Sequence, residues 1–184
     1  MKTKREPWVW IFAATALVML GAIGIFVWSV VQSRREGGTV TANQFPGRAT
    51  ETLARVFPPA YHPVGSLARP AAFNTAIARY SQRDYAGAIP GLAALVETKP
   101  DFVEARFYLG ICNLATGNAA SGIAELRKTI EAGNTPYLEQ ARFYLAKGLL
   151  GSGDIAGARQ QLDDTIAMHG DLALQAEALQ AQIK

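Results

Sequence analysis

A six-residue word occurs twice in the chain, and this repeat limits the possible folds more than any other feature. Residues 105–110 spell ARFYLG and residues 141–146 spell ARFYLA, so five letters recur in order after 36 residues. The match extends outward, pairing EARFYLGICNLATGNAASGIAELRKTI with QARFYLAKGLLGSGDIAGARQQLDDTI. A repeat of this length indicates structural units that bury their apolar faces only against one another.

A third and looser copy lies 34 residues before the first, as AAFNTAIARYSQRDYAGAIPGLAALVETKP. In every copy, apolar residues at helical spacing lie on both sides of a short polar turn. Asp84 occupies this turn in the looser copy, Gly117-Asn118 in the next and Gly153-Asp154 in the last. Each copy is therefore predicted to be a helix, a tight turn and a second helix.

These units resemble the tetratricopeptide repeat (TPR) family. The resemblance rests on the Leu-Gly pair of the first helix, a small residue near the start of each second helix and a proline that ends the first unit: Leu109, Gly110, Ala88, Gly122, Ala158 and Pro100. It implies an all-α fold, an α-solenoid of about three helix pairs closed by a C-terminal capping helix. The expected boundaries are 71–102, 103–138 and 139–170 for the units and 171–184 for the cap, with Asp171 as its N-cap.

The first part of the chain contains a long uncharged run. From Trp8 to Val31, 24 residues include no Asp, Glu, Lys or Arg. A helix of that length rises ~36 Å, at ~1.5 Å per residue, and spans a ~30 Å hydrocarbon core. Three tryptophans lie near its ends, where indole rings favour the membrane interfaces: Trp8, Trp10 and Trp28. The sequence therefore predicts a transmembrane helix over residues 8–31, after a short basic tail over residues 1–7.

Positive charge is concentrated around this run. Residues 1–70 carry eight Lys or Arg against three Asp or Glu, whereas residues 71–184 are slightly acidic. Because the basic excess flanks an apolar run, it favours a lipid bilayer as partner and not a nucleic acid. Basic residues are balanced across the run, but a short tail before a long domain is typical of a signal anchor. We expect a single-pass protein of a bacterial inner membrane, with its repeats on the periplasmic side.

Residues 32–70 are rich in Pro and Gly, which interrupt regular structure. The simplest interpretation is a tether between the predicted span and a repeat domain over residues 71–184. A second interpretation is that Phe57, Tyr61 and Val64 dock onto the neighbouring repeats. The sequence leaves both open.

Residue types needed for catalysis or metal binding do not cluster in the sequence. Cys112 is the single cysteine, so neither an intramolecular disulfide nor a cysteine-based zinc site can form. It lies among apolar residues of a predicted helix, which indicates a buried side chain. His62 and His169 have no second histidine at ligand spacing, and no phosphate-binding loop or nucleophile elbow occurs. We therefore predict no enzyme activity, no cofactor and no metal.

The TPR resemblance implies a binding groove lined by the first helices of the units. The side chains expected there are mostly apolar or aromatic: Phe73, Ile77, Tyr80, Phe107, Ile111, Leu114, Phe143, Lys147 and Leu150. TPR domains that clamp a C-terminal carboxylate use Lys, Asn and Arg in this groove, and the matching positions here differ: Phe73, Ile77, Tyr108, Gln140 and Tyr144. Whether a partner, the tether or the capping helix fills the groove stays open.

Two functions are compatible with this organisation. The first is a non-enzymatic scaffold, an accessory or assembly subunit of a larger membrane protein complex. The second is a membrane-tethered receptor, regulator or chaperone-like module that captures soluble client proteins transiently. The sequence does not identify the partner or the oligomeric state.

Overall fold

The computed structural model describes residues 51–65 and 68–183. Within these ranges the chain forms one helical turn over residues 51–54 and seven longer helices, with no strand: α1 (Ala71–Ser81), α2 (Tyr85–Thr98), α3 (Val103–Ala115), α4 (Ala119–Glu131), α5 (Leu138–Ser152), α6 (Ile155–Ala167) and α7 (Ala173–Gln182). None of these described helices is both long and apolar enough to cross a bilayer. The predicted span with Trp8, Trp10 and Trp28 lies outside the described residues.

Each helix packs against the next one along the chain, from α1 on α2 through to α6 on α7. The first helices of two neighbouring pairs, α3 and α5, also contact each other. This arrangement places α1, α3 and α5 as the first helices of three successive pairs, and α7 covers the end of the last pair. The predicted all-helical repeat fold is confirmed for the described residues.

The turn within each pair has a recurrent geometry. Asp84 and Asp154 cap α2 and α6, each accepting a hydrogen bond of 2.9 Å from the backbone N–H three residues later. The residue before each cap has a positive φ: 84° at Gly117 and Gly153, but 65° at Arg83. Glycine adopts this left-handed conformation without steric cost, whereas arginine does not. The turn between α1 and α2 therefore has the same geometry, although it contains Arg83 where the other turns contain glycine.

Small residues bring the two helices of the central pair into close contact. A Cβ atom added at Gly122 would lie 2.6 Å from Leu114 Cδ2, and one added at Gly110 would lie 2.9 Å from Leu126 Cγ. Both distances are shorter than any van der Waals contact between carbon atoms, so the leucines occupy the space that the glycines leave. The predicted role of Gly122, to let α3 and α4 approach, is confirmed.

The capping helix begins later than predicted. The cap was expected from residue 171 with Asp171 as N-cap, but α7 starts at Ala173 and Leu172 is its N-cap residue. The backbone N–H of Leu172 donates instead to Glu139 Oε1 on α5, at 2.8 Å. A carboxylate from another repeat thus satisfies the helix start, so the prediction that Asp171 caps it is wrong. Ala176, Leu179 and Ile183 are buried against the repeats, and Leu172 is partly buried.

Candidate functional site

One segment of the predicted tether lies on the repeats. Residues 51–65, here called the segment, contact the first helices of all three pairs. The surface of α1, α3 and α5 that they cover is here called the groove. Leu53 and Val56 of the segment pack against the hydrophobic core. The groove is therefore occupied by the chain itself.

Side chains of the groove hold the segment by its backbone. The Tyr80 hydroxyl donates to the Pro59 carbonyl at 2.6 Å, and the Tyr144 hydroxyl donates to the Phe57 carbonyl at 2.9 Å. A third donor follows on α5, where Lys147 Nζ lies 3.2 Å from the Leu53 carbonyl. Main-chain carbonyls are present in every peptide, so these contacts fix the path of a chain without selecting its side chains.

One side chain of the segment enters the groove. The ring of Tyr61 packs edge-on against Phe73 and Tyr108, with centroid distances of 6.2 and 5.4 Å. Its hydroxyl donates to Glu104 Oε1 at 3.3 Å. Burial, and next the adjacent Glu104 carboxylate, raise the pKa of Tyr61 above its ordinary value. Tyr61 is thus the side-chain anchor of the segment.

Glu104 is the charged centre of this anchor site. Its side chain is only 9% exposed and forms an ion pair with Arg69, with Nε and Oε2 2.7 Å apart. Arg69 also donates from a second nitrogen to the Val64 carbonyl at 2.8 Å. A nearly buried carboxylate is stable only when such partners replace water. Arg69 and Tyr61 both supply that replacement, so the Tyr61 hydroxyl and the Arg69 guanidinium bind the same carboxylate.

The opposite end of the groove has a partly buried cation. Lys147 Nζ lies 5.7 Å from the centroid of the Phe143 ring, within the range of a cation–π contact. Burial lowers the pKa of Lys147 below its ordinary value. Its ammonium group is nevertheless satisfied by the Leu53 carbonyl. The groove therefore offers a carboxylate near α1 and an ammonium on α5.

Two of the phenylalanines predicted to line the groove, Phe73 and Phe107, lie at the junctions between helix pairs. Phe73 and Phe107 are fully buried, and each packs on the aromatic residue that precedes the next first helix. The ring centroids of Phe73 and Phe102 are 5.0 Å apart, as are those of Phe107 and Tyr137. Because these rings fill the junctions between pairs, Phe107 belongs to the core and not to the groove.

The other predicted groove residues divide into two groups. Tyr80 and Lys147 contact the segment directly, and Leu114 lines a cleft of about 620 Å³ together with residues 51, 52 and 54–56 of the segment. Ile111 is fully buried, with 0% of its surface exposed, and Leu150 is 2% exposed. Ile77 is also buried, at 5%. These three side chains stabilise helix packing.

Part of the tether docks as the second interpretation expected. Tyr61 packs on the repeats, whereas Phe57 and Val64 are 70% and 43% exposed. The apolar contacts come instead from Leu53 and Val56. The reason is that hydrogen bonds to the Phe57 and Pro59 carbonyls orient the main chain towards the groove, which leaves the Phe57 ring in solvent.

Glu104 was not predicted as a groove residue, whereas Tyr108 and Tyr144 were named only as the positions that match those of carboxylate-clamping TPR grooves. Tyr108 and Tyr144 are the same letter of the repeated word, and they follow directly after the buried Phe107 and Phe143. Since neighbouring residues on a helix point about 100° apart, a buried Phe predicts that the next residue lies at an edge of the core. That signal was present in the repeat. Nothing in the sequence paired Glu104 with Arg69.

Within residues 51–65 and 68–183, no group of three or more His, Cys, Asp and Glu could hold a metal ion. Cys112 is fully buried, as predicted, and burial raises the pKa of its thiol to about 12. A thiol with that pKa is almost entirely protonated at neutral pH and is a poor nucleophile.

Fold and groove together define a helical-repeat protein interaction module. Residues 73–136 match the model of the tetratricopeptide repeat family. The fold resembles the Yersinia enterocolitica type III secretion translocator chaperone SycD, with 19% identity and a TM-score of 0.57 over 61% of this chain and 80% of that chain. SycD in complex with a peptide of the translocator YopD matches with 19% identity and a TM-score of 0.56, over 61% and 88% of the two chains.

Among curated protein sequences, none matches the chain significantly. The likeness to TPR proteins therefore rests on the family model over residues 73–136 and on the fold. At this level of identity the likeness to SycD concerns the fold alone.

Proposed function

We propose that this protein is a membrane-anchored, non-enzymatic TPR module that binds a peptide segment of a partner protein in its groove. Its role is that of an accessory or assembly subunit of a larger membrane protein complex. The observation that carries the proposal is the segment itself. Tyr80, Tyr144 and Lys147 hold its backbone as they would hold a bound peptide. The SycD structure with a translocator peptide supports peptide binding by this fold.

The membrane role rests on the uncharged run over residues 8–31. A groove placed on a single-span anchor stays close to the membrane, which favours partners that are themselves membrane proteins. The basic and aromatic flanks of the run support its role as a membrane span.

Purification from native membranes in mild detergent, followed by mass spectrometry, tests this function. The wild-type chain should co-purify with one membrane complex in fixed stoichiometry. Tyr144→Ala should weaken that association by about 2 kcal/mol, as expected for a central contact of an interface. Gln160→Ala is the matched control, because Gln160 is exposed and lies on α6, which is not one of the three groove helices. A complex that retains the Tyr144→Ala chain at full stoichiometry contradicts groove binding.

The second candidate is a chaperone-like receptor for soluble clients. It is favoured by the recognition of main-chain carbonyls, which any non-helical client offers, and by the chaperone fold of SycD. The same purification separates the two functions. Several clients in low and variable amounts would indicate the receptor.

We propose that the repeats lie on the periplasmic side of the inner membrane. A cysteine at the exposed Gln175 of α7 should then react with a membrane-impermeant maleimide in intact spheroplasts. Cys112 needs no replacement, because it is fully buried and its pKa is about 12. Labelling of Gln175→Cys only after lysis would reverse the orientation.

A further inference from the structure

We propose that the segment is an intramolecular occupant of the groove, and that the partner displaces it with a tyrosine-containing, proline-extended peptide of its own. This inference rests on the proposed function and adds to it the chemistry of the ligand and the state of the groove before binding.

The backbone contacts define the shape of the ligand. The groove hydroxyls of Tyr80 and Tyr144 bond to carbonyls two residues apart, those of Phe57 and Pro59. These residues are not helical, and carbonyls two residues apart point to the same side of an extended chain. The Pro58-Pro59 pair favours that geometry, because a proline disfavours a helical conformation in the residue before it. A ligand with a short proline-containing stretch is therefore pre-organised for the groove.

The anchor site defines its side chain. The space between Phe73 and Tyr108 takes a flat ring, and Glu104 behind it accepts a hydrogen bond. Phenylalanine would fill the space without donating to Glu104, and a lysine would not fill it. Tyrosine satisfies both demands, so the displacing peptide carries a tyrosine about two to four residues after its proline stretch, as Tyr61 follows Pro59.

The segment is held less firmly than the helices that surround it. None of residues 51–65 is fully buried, and the Phe57 side chain is 70% exposed. By contrast, residues Glu104 to Asn113 of α3 are all buried. Arg69 lies directly before α1 and keeps Glu104 paired if the segment leaves. The helices can therefore remain folded with the groove open.

A reversible disulfide tests displacement. The Ala54 Cβ lies 3.5 Å from the position that a Cβ at Gly151 would occupy, within the range of about 3.5–4.5 Å for a disulfide. The full chain with Ala54→Cys, Gly151→Cys and Tyr61→Ala is purified in mild detergent. The probe is a fluorescent peptide with the native sequence of residues 51–65. We expect at least ten-fold tighter binding to the reduced chain than to the oxidised chain, in which the segment cannot leave.

Two controls define the anchor. A peptide with Tyr61→Ala should bind the reduced chain at least ten-fold more weakly than the native peptide, and one with Tyr61→Phe should lie between them. In the chain without the two introduced cysteines, Tyr61→Ala should increase affinity for the native peptide at least ten-fold over wild type. Phe57→Ala should leave that affinity unchanged, because the Phe57 side chain is mostly exposed.

Each other outcome overturns the inference. Equal binding to both redox forms means that the groove is not where the peptide binds, and failure of the disulfide to form means that the segment does not lie on α5. Loss of helical circular dichroism in the Tyr61→Ala chain means that the segment is part of the core. The proposed function is judged separately, by whether Tyr144→Ala removes the chain from its membrane complex.

Discussion

The two copies of the repeated word can be compared residue by residue, since ARFYL occurs in both α3 and α5. The arginines have the same role: Arg106 pairs with Glu125 on α4, and Arg142 pairs with Asp164 on α6. The tyrosines both face the segment. Tyr108 packs on the Tyr61 ring and Tyr144 binds the Phe57 carbonyl. A repeated word has thus produced a repeated set of contacts.

The copies differ in how completely the next helix covers them. Phe107 is fully buried under Tyr137, whereas Phe143 remains 7% exposed. The arginine pair of the first copy is 11% and 16% exposed, and that of the second is 23% and 41% exposed. The first copy has a repeat on each side, and the second has only the short α7 beyond it. Identical residues should therefore stabilise the domain unequally.

The largest effect is expected from alkaline pH, and it should be stronger in the first copy. Burial raises the pKa of Tyr144 to about 12, that of Cys112 from 9.0 to about 12, and that of Tyr108 further. The unfolded chain loses these protons at lower pH than the folded chain. Stability is therefore complete below about pH 9 and falls as pH rises towards 12. Unfolding free energies from urea titrations at several pH values measure this, and a constant value up to pH 11 would contradict it.

Cys112 makes the alkaline effect stronger in the first copy, because the equivalent position of the second copy is Gly148. Tyr144→Phe removes one ionisable group and should flatten the loss of stability by at most ~1.4 kcal/mol per pH unit. An unchanged slope in this variant would show that Tyr144 ionises equally in both states.

The next largest effect is expected from truncating the phenylalanines. Phe107→Ala should lower the free energy of unfolding by about 3–5 kcal/mol, because it opens a cavity between two pairs of helices. Phe143→Ala should cost less, about 2–3 kcal/mol, because its surroundings can relax towards solvent and α7. Urea unfolding followed by circular dichroism gives both values. Equal losses would mean that α7 covers the last pair as well as a full repeat would.

The arginine pairs provide a smaller contrast. Arg106→Ala should cost about 2 kcal/mol, because it leaves the mostly buried Glu125 with only the exposed Lys128 as its ionic partner and removes a 3.0 Å hydrogen bond to the Pro100 carbonyl. Arg142→Ala should cost about 1 kcal/mol or less, since Asp164 is more exposed and can bind water. Added salt should weaken the Arg142–Asp164 pair more than the Arg106–Glu125 pair. Equal weakening of the two would mean that both behave as surface ion pairs, and the comparison would fail.

The smallest effect concerns the turn within each pair. Arg83→Gly should raise the stability by about 1 kcal/mol, because it relieves the positive φ of 65°. The matched change Gly153→Ala should lower stability by about the same amount at a φ of 84°. Thermal unfolding of the two variants beside wild type is sufficient. A destabilised Arg83→Gly chain would mean that the Arg83 side chain contributes more than its backbone strain costs.

The sequence predicted the repeats well because their cause is local. Helical spacing of apolar residues, a polar turn and a small residue such as Gly122 each act within one unit, and three copies show the same pattern. The groove was harder, because its lining depends on which neighbour covers each side chain. Phe107 is an aromatic residue on a first helix, where a ligand contact was expected, but Tyr137 from the next unit covers it. No periodic pattern reports that contact.

Docking of Tyr61 was one of the two interpretations of the tether, but the path of the segment was not predictable for a related reason. Its Pro residues indicate only the absence of a helix, and its partners lie in three separate helices. The buried pair of Glu104 and Arg69 joins residues 35 positions apart. Such a pairing has no counterpart in the other units, so repetition gives no information about it. Similarly, the start of α7 depends on Glu139 from another repeat.

The segment precedes in sequence the helices that hold it, and this determines when the groove can close during synthesis. Tyr144, which donates to the Phe57 carbonyl, is synthesised 87 residues after it. Lys147, which donates to the Leu53 carbonyl, is synthesised 94 residues after it. At ~5–20 residues per second, about 4–19 seconds of translation separate each acceptor from its donor. The pair α1 and α2 can fold within that interval, while the growing chain still presents Leu53 and Val56 to water. A nascent chain thus has a period in which its groove is unfinished and its segment is free for other contacts.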